Sequence, residues 1–341
     1  MLQYCLLILS LLVFTSLTHA SIEIIACPPH LSNSTCGKLT VPLDHANPST
    51  NVTISRFYAI TTPTIPLEFK RALVIIPGGP GGALLTHHPA GITSFQLVNE
   101  LQRPVILFDP RGTGNGSRLN CSLQQKPLSL HLDIDLFDIR RCLSEIGDEV
   151  FHYSATAIVN DLELLRIALG FKKWDLFGYS YGGLISQVYG LLYPNSIGSM
   201  LLDSPVPMRD KDLYQVRNHE AYARIYAEKH RENPKFSMES FSNQLKSVLW
   251  RLRWNRALRE DLKIDPRLLY HVYRFTPDSF PEAIASAADD RNYTGLQALA
   301  EEFDPRLVPL RNWSIAMAVS TTCNTIVDLF HGTPTQDSSK E

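Results

Sequence analysis

The sequence predicts an α/β fold: a doubly wound, mostly parallel sheet with an inserted helical lid. Three observations carry this reading. Between about residues 37 and 205, short apolar runs alternate with segments of helical periodicity. Within that region, Gly178-Tyr179-Ser180-Tyr181-Gly182 lies directly after an apolar run and directly before an apolar, helix-like segment. After Pro207 the chain changes to charged helical segments with no buried strand.

Residues 1–20 read as a secretory signal. An apolar core from Leu6 to Phe14 is interrupted only by Ser10, and Thr18-His19-Ala20 offers a small residue at the cleavage position. The stretch is shorter than the ~20 residues a spanning helix needs, so no stable membrane insertion is expected. The expected location is secreted or periplasmic. Removing the signal takes away Cys5 and leaves Cys27, Cys36, Cys121, Cys142 and Cys323. In an oxidising compartment Cys27–Cys36 and Cys121–Cys142 are the economical pairs, and Cys323 is odd. Zinc is not expected, because the cysteines have no Cys-x-x-Cys spacing and no nearby histidine pair. Asn33, Asn51, Asn115, Asn120, Asn292 and Asn312 begin glycosylation sequons.

The runs at 52–60 and 72–76 read as strands, and the continuous apolar run at 105–108 as a buried parallel strand. Ile158, Leu162, Leu165 and Leu169 recur at helical spacing, with Gly170 as the stop. A strand at 176–177, a helix at 184–192 and a strand at 199–202 follow. These elements form an α/β core at 21–207. A helical lid spans 208–322, with helices expected at 211–230 and 236–258, and a short remnant spans 323–341. Residues 246–274 are mainly basic and residues 278–304 mainly acidic. Both read as solvated helix faces; a weaker reading gives the acidic stretch a substrate ammonium group to hold.

The whole chain has 341 residues, 44% hydrophobic and 19% charged, with a net charge of −2. That is a soluble globular composition with no pull toward nucleic acid. The Gly-x-Ser-x-Gly run fits a nucleophile elbow, in which small residues let Ser180 occupy a tight strand-to-helix turn. The glycine-rich loop Pro77-Gly78-Gly79-Pro80-Gly81-Gly82 follows a strand, and glycine lets its backbone approach a substrate. It is no phosphate loop, because no Lys-Ser/Thr closes it. No cofactor is expected. In Phe108-Asp109-Pro110-Arg111-Gly112-Thr113-Gly114, Asp109 and Arg111 are expected to brace the loop rather than touch substrate.

Together these motifs resemble the prolyl iminopeptidase family of α/β-hydrolases, and more closely its secreted tripeptidyl-aminopeptidase branch. The resemblance covers roughly residues 27–325. It includes Val41-Pro42-Leu43-Asp44 near the N-terminus and residues 316–323 near the end of the lid. One departure is Pro77, where the family often has His. The resemblance implies that Ser180 is the nucleophile, with the backbone N–H groups of Gly79 and Tyr181 forming an oxyanion hole. It implies a peptide substrate with a free amino end.

The acid and base are harder to place. In this family the acid follows a strand beyond the lid and the histidine follows one more strand. The chain reaches Glu341 about eighteen residues after Cys323, which leaves no room for those strands. Only His219, His230, His271 and His331 follow Ser180. The first three fall in the lid. His331-Gly332 mimics the family's ending, so His331 is the candidate base, although it lacks the strand that should precede it. Asp304-Pro305 imitates the acid loop but follows a helical stretch. Asp203, at the end of the strand after the elbow, is the candidate acid. The expectation is a family member shortened at its C-terminus, with compromised activity. The alternatives are a non-catalytic peptide-binding homologue and a broader carboxylesterase or lipase.

Overall fold

The structure, a computed structural model, describes residues 20–63, 70–85, 96–114, 116–122, 136–208, 216–234, 236–264 and 277–302, with positions 266, 269, 272 and 273. Seven strands form one sheet: β1 (Ser21–Ile25), β2 (Thr35–Pro42), β3 (Thr53–Thr61), β4 (Arg71–Ile76), β5 (Val105–Phe108), β6 (Lys173–Tyr179) and β7 (Ile197–Asp203). Their order is β1-β2-β3-β5-β4-β6-β7. The strands β5, β4, β6 and β7 run parallel to one another, and β1, β2 and β3 add an antiparallel front that joins at β5. The sheet is therefore mixed, with its parallel part where the nucleophile motif lies.

The inner parallel strands β5, β4 and β6 are largely buried, whereas β7 at the end of the strand order stays exposed or half-buried along its length. All four residues of β5 are buried between β3 and β4. Helix α1 spans Leu136–Ile146 and α2 spans Ala155–Ala168. Ser154 caps α2 by accepting a hydrogen bond from the Ala157 N–H, and Ile158, Val159, Leu162 and Leu165 are its buried apolar stripe. The Trp174 indole N–H donates to the Leu162 carbonyl at 3.2 Å, which fastens α2 to β6. Helix α3 (Tyr181–Leu192) packs back on the sheet through Leu184, Ile185 and Tyr189. Each such fully buried side chain contributes about 1.5–3 kcal/mol.

Strands β1 and β2 are not among the sequence expectations; β1 is defined by its pairing with β2, and β2 by its pairing with β1 and β3. Cys36 lies on β2 and is bonded to Cys27; Cys121 is bonded to Cys142 on α1. Both are the expected pairs. Cys323 lies outside the described residues.

A buried charge cluster ties this unit together. Arg111 donates to both oxygens of Asp161 on α2, at 2.9 and 2.5 Å. The same guanidinium donates to the carbonyls of Leu43, at 2.9 Å, and His152, at 2.6 Å. Burial alone would raise the Asp161 carboxyl; the charge of Arg111 and the hydrogen bond with His45 outweigh it and hold the group below the usual carboxylate range. Arg56 on β3 lies 3.7 Å from Asp161, and burial lowers its pKa to about 10.

The chain divides into two compact units; one holds the sheet with α1–α3. The other is helical: α4 (Val216–Lys229), α5 (Met238–Trp254), α6 (Arg256–Leu262), α7 (Phe280–Asp289) and α8 (Thr294–Glu302). Its core joins Tyr226, Phe241, Val248, Leu252, Phe280 and Ile284. The expected helix at 236–258 ends at Trp254, because the Asn255 side chain accepts from the Leu258 N–H and caps α6 instead. No described helix is long and apolar enough to cross a membrane.

Replacing Asp161 with Asn leaves Arg111 buried without its full counter-charge. The expected loss is about 3–5 kcal/mol, read as a lower urea midpoint at unchanged m-value. A midpoint equal to wild type would show that the pair is not a stabilising contact.

Candidate active site

Strand β6 ends at Tyr179 and helix α3 begins at Tyr181, so Ser180 is the whole turn between them. Its backbone sits at φ 53° and ψ −119°. A non-glycine residue there costs about 1–3 kcal/mol, which neighbouring contacts must hold. Here those contacts are hydrogen bonds. The Ser180 N–H donates to the Asp203 carbonyl at 2.9 Å, and the Ser180 carbonyl accepts from Gly183 and Val206, each at 3.0 Å. The sharp turn also requires α3 to press against β4. A Cβ at Gly182 would lie 2.2 Å from the Ile76 carbonyl oxygen, so only glycine fits. The Ser180 side chain makes no capping hydrogen bond to its own helix.

The glycine-rich loop leaves β4 and meets the serine. A Cβ on Gly78 would lie 3.0 Å from Ser180 Cβ and 3.3 Å from the Tyr179 ring, so the Gly78 backbone lies directly against the nucleophile motif. Burial raises the Tyr179 phenol, and a hydrogen bond from the Gly78 N–H opposes that rise. Gly79 follows at φ 131°, in the region that L side chains avoid. The far end of the loop is held by a carboxylate. Asp109 Oδ1 accepts from the Leu84 and Leu85 N–H groups at 2.6 and 3.1 Å. Burial pushes the Asp109 carboxyl up to about 6, against those two amides and the charge of Arg56.

The expected site residues are distributed as follows. Tyr181 opens α3, where backbone N–H groups face out of the helix end. Asp203 pairs with Tyr179 across β6 and β7 and touches the elbow through its backbone carbonyl. Its side chain is exposed and accepts from the Ser204 hydroxyl at 2.9 Å. His331, His271 and Asp304 lie outside the described residues. His219 is on α4. His230 packs in the helical unit, with its ring 4.8 Å from that of Phe236. Sequence reading placed Asp109 and Arg111 as braces but not their partners, which are 25 and 50 residues away. It missed Arg56, although an arginine on the inward face of an apolar strand was a signal. Within the helical unit, a cleft of about 380 Å³ between α5 and α7 is lined in part by Glu282, Asp289 and Asp290.

Comparison with known proteins adds to this geometry. The family described as alpha/beta hydrolase fold matches residues 71–268. A tripeptidyl aminopeptidase of Streptomyces coelicolor is 33% identical over 203 residues, covering 53% of this chain and 37% of that protein. A proline iminopeptidase of Aeromonas sobria is 30% identical over 190 residues, covering 55% and 39%. Serine protease Hip1 of Mycobacterium tuberculosis is 28% identical over 193 residues, covering 50% and 36%. The match thus spans well under half the length of each of these relatives.

Two outcomes follow from the packing and the charge. Gly182→Ala should displace the elbow from β4 and destabilise the fold by about 1–3 kcal/mol, seen in a denaturant titration. The Asp109 carboxyl binds its proton more tightly folded than unfolded. Its contribution to stability is therefore fully present below pH 3.8 and lost as pH rises through about 6. Asp109→Asn should gain on wild type across that window, by on the order of 3 kcal/mol. Melting temperatures of the two proteins from pH 4 to 7 give the comparison; parallel curves would rule it out.

Proposed function

The chain belongs to the α/β-hydrolase fold family, and on that premise we propose that it is an exported serine hydrolase of the aminopeptidase kind. The observation that carries this reading is Ser180 at φ 53°, with the glycine-rich loop packed on its Cβ. A serine held in a costly backbone conformation beside a loop rich in close-approach backbone is what acyl transfer needs. The names of its relatives, which are peptidases, favour an amide over an ester as the substrate.

In this reading the Ser180 hydroxyl attacks the scissile carbonyl as a base takes its proton. The N–H groups of Gly79 and Tyr181 receive the developing oxyanion, and each such donor contributes roughly 3–4 kcal/mol. The base returns its proton to the leaving amine, and water then releases the acyl group by the same route. His331 takes the role of base and Asp203 that of acid. The two disulfides fit an exported protein.

A fluorophosphonate probe tests the core of the proposal. Labelling should map to Ser180 and vanish in Ser180→Ala. His331→Ala and Asp203→Asn should each slow peptide turnover by at least about 10³-fold, and acetylating the substrate's amino end should abolish turnover. Peptide binding to Ser180→Ala, with no turnover by the parent, would mark a non-catalytic binding protein instead. Turnover of short acyl esters without any peptides would mark an esterase.

A further inference from the structure

We propose that Asp109 is the positioning residue of the oxyanion loop, holding residues 77–85 against Ser180 through the two amides it binds. This rests on the reading of Ser180 as the acylated serine. The loop is anchored at its near end by contact: Gly78 lies against Ser180 Cβ, and Gly82 could not carry a Cβ because the Gly78 carbonyl oxygen would be 2.7 Å away. At its far end, among the described residues, the Leu84 and Leu85 side chains are buried in the apolar core and the Leu85 carbonyl accepts from His30 Nε2 at 2.8 Å. There Asp109 Oδ1 takes both the Leu84 and Leu85 N–H groups. Asp109 is itself fixed, because it directly follows β5, and its N–H donates to the Phe57 carbonyl on β3 at 3.1 Å.

The surroundings of the carboxylate are shaped to this role. Asp109 is 1% exposed. Among the described residues, Oδ2 has no hydrogen-bond partner, so Oδ1 does the holding. Gly114 curls over Oδ2 at φ 63°, and a Cβ there would lie 2.0 Å from that oxygen. Glycine at 114 is thus what lets the carboxylate keep the orientation that presents Oδ1 to the loop. A buried carboxylate accepting two backbone N–H bonds is a strong, directional clamp. If it is released, the loop keeps its contact at Gly78 but loses the tension that sets the Gly79 N–H, and displacement by about 1 Å is enough to cost about 10²-fold in rate.

The experiment compares Asp109→Ala, Asp109→Asn, Gly114→Ala and the Asp109→Ala/Gly114→Ala pair in the full chain. Two quantities are read: the phosphonylation rate of Ser180, split into probe affinity and maximal rate, and hydrogen exchange at the Leu84 and Leu85 amides. Asp109→Ala should lower the maximal rate by about 10²-fold with affinity nearly unchanged, and should speed exchange at both amides by about 10-fold or more while β6 amides stay protected. Asp109→Asn keeps an acceptor oxygen and should restore both readouts. Gly114→Ala should reproduce the Asp109→Ala defect, and the pair should be less than additive. Should Asp109→Ala fail to fold, Gly114→Ala and Asp109→Asn carry the test. Wild-type exchange and rate in Gly114→Ala, or an Asn variant as defective as Ala, would overturn the clamp. A wild-type chain that does not react with the probe would count against the hydrolase reading alone, because amide exchange still decides the role of Asp109.

Discussion

The contact between Arg111 and Asp161 is the one on which the sheet-bearing unit depends. It joins the loop after β5 to helix α2, and through the Leu43 and His152 carbonyls it also holds the end of β2 and the approach to α2. An arginine keeps its charge at any relevant pH, so a buried one must be answered by fixed acceptors. Asp161 and those carbonyls are the answer. Because Arg111 is fixed, so is Asp109 two residues before it, and Asp109 reaches the loop that touches Ser180. The site is thus supported from behind by charge, not only by apolar packing.

The elbow itself is supported from the sides. The unfavourable backbone of Ser180 persists because three hydrogen bonds and the close approach of α3 to β4 all require it. One of those bonds comes from the end of β7 and another from the segment just after it. The geometry of the serine is therefore a property of three chain segments that are neighbours in space and separated in sequence.

What could be read from the sequence follows from this division. The strand–turn–helix at Ser180 was legible because local signals agree there: an apolar run, glycines at fixed offsets, then an apolar helix. Strand β5 was legible because every one of its residues is buried. Strands β1 and β2 were not, since their identity comes from cross-strand partners. The acceptors of Arg111 and the amides bound by Asp109 were also out of reach, because no local rule links residues 25 or 50 positions apart. Asp203 was singled out for its side chain, whereas its contact with the elbow runs through its backbone. The relatives bear out the hydrolase likeness; the roles of Gly79, Tyr181, Asp203 and His331 rest on the proposal.

The bond from Ser180 N–H to the Asp203 carbonyl has a thermal consequence. The serine cannot relax from its turn unless the β6–β7 pairing opens, so there is little room for a warm, folded, misaligned state. Loss of the reactive geometry on heating is tied to opening of this edge of the sheet, where β7 pairs with β6. In this molecule the turn at Ser180 and the β6–β7 edge share one hydrogen bond and should open together.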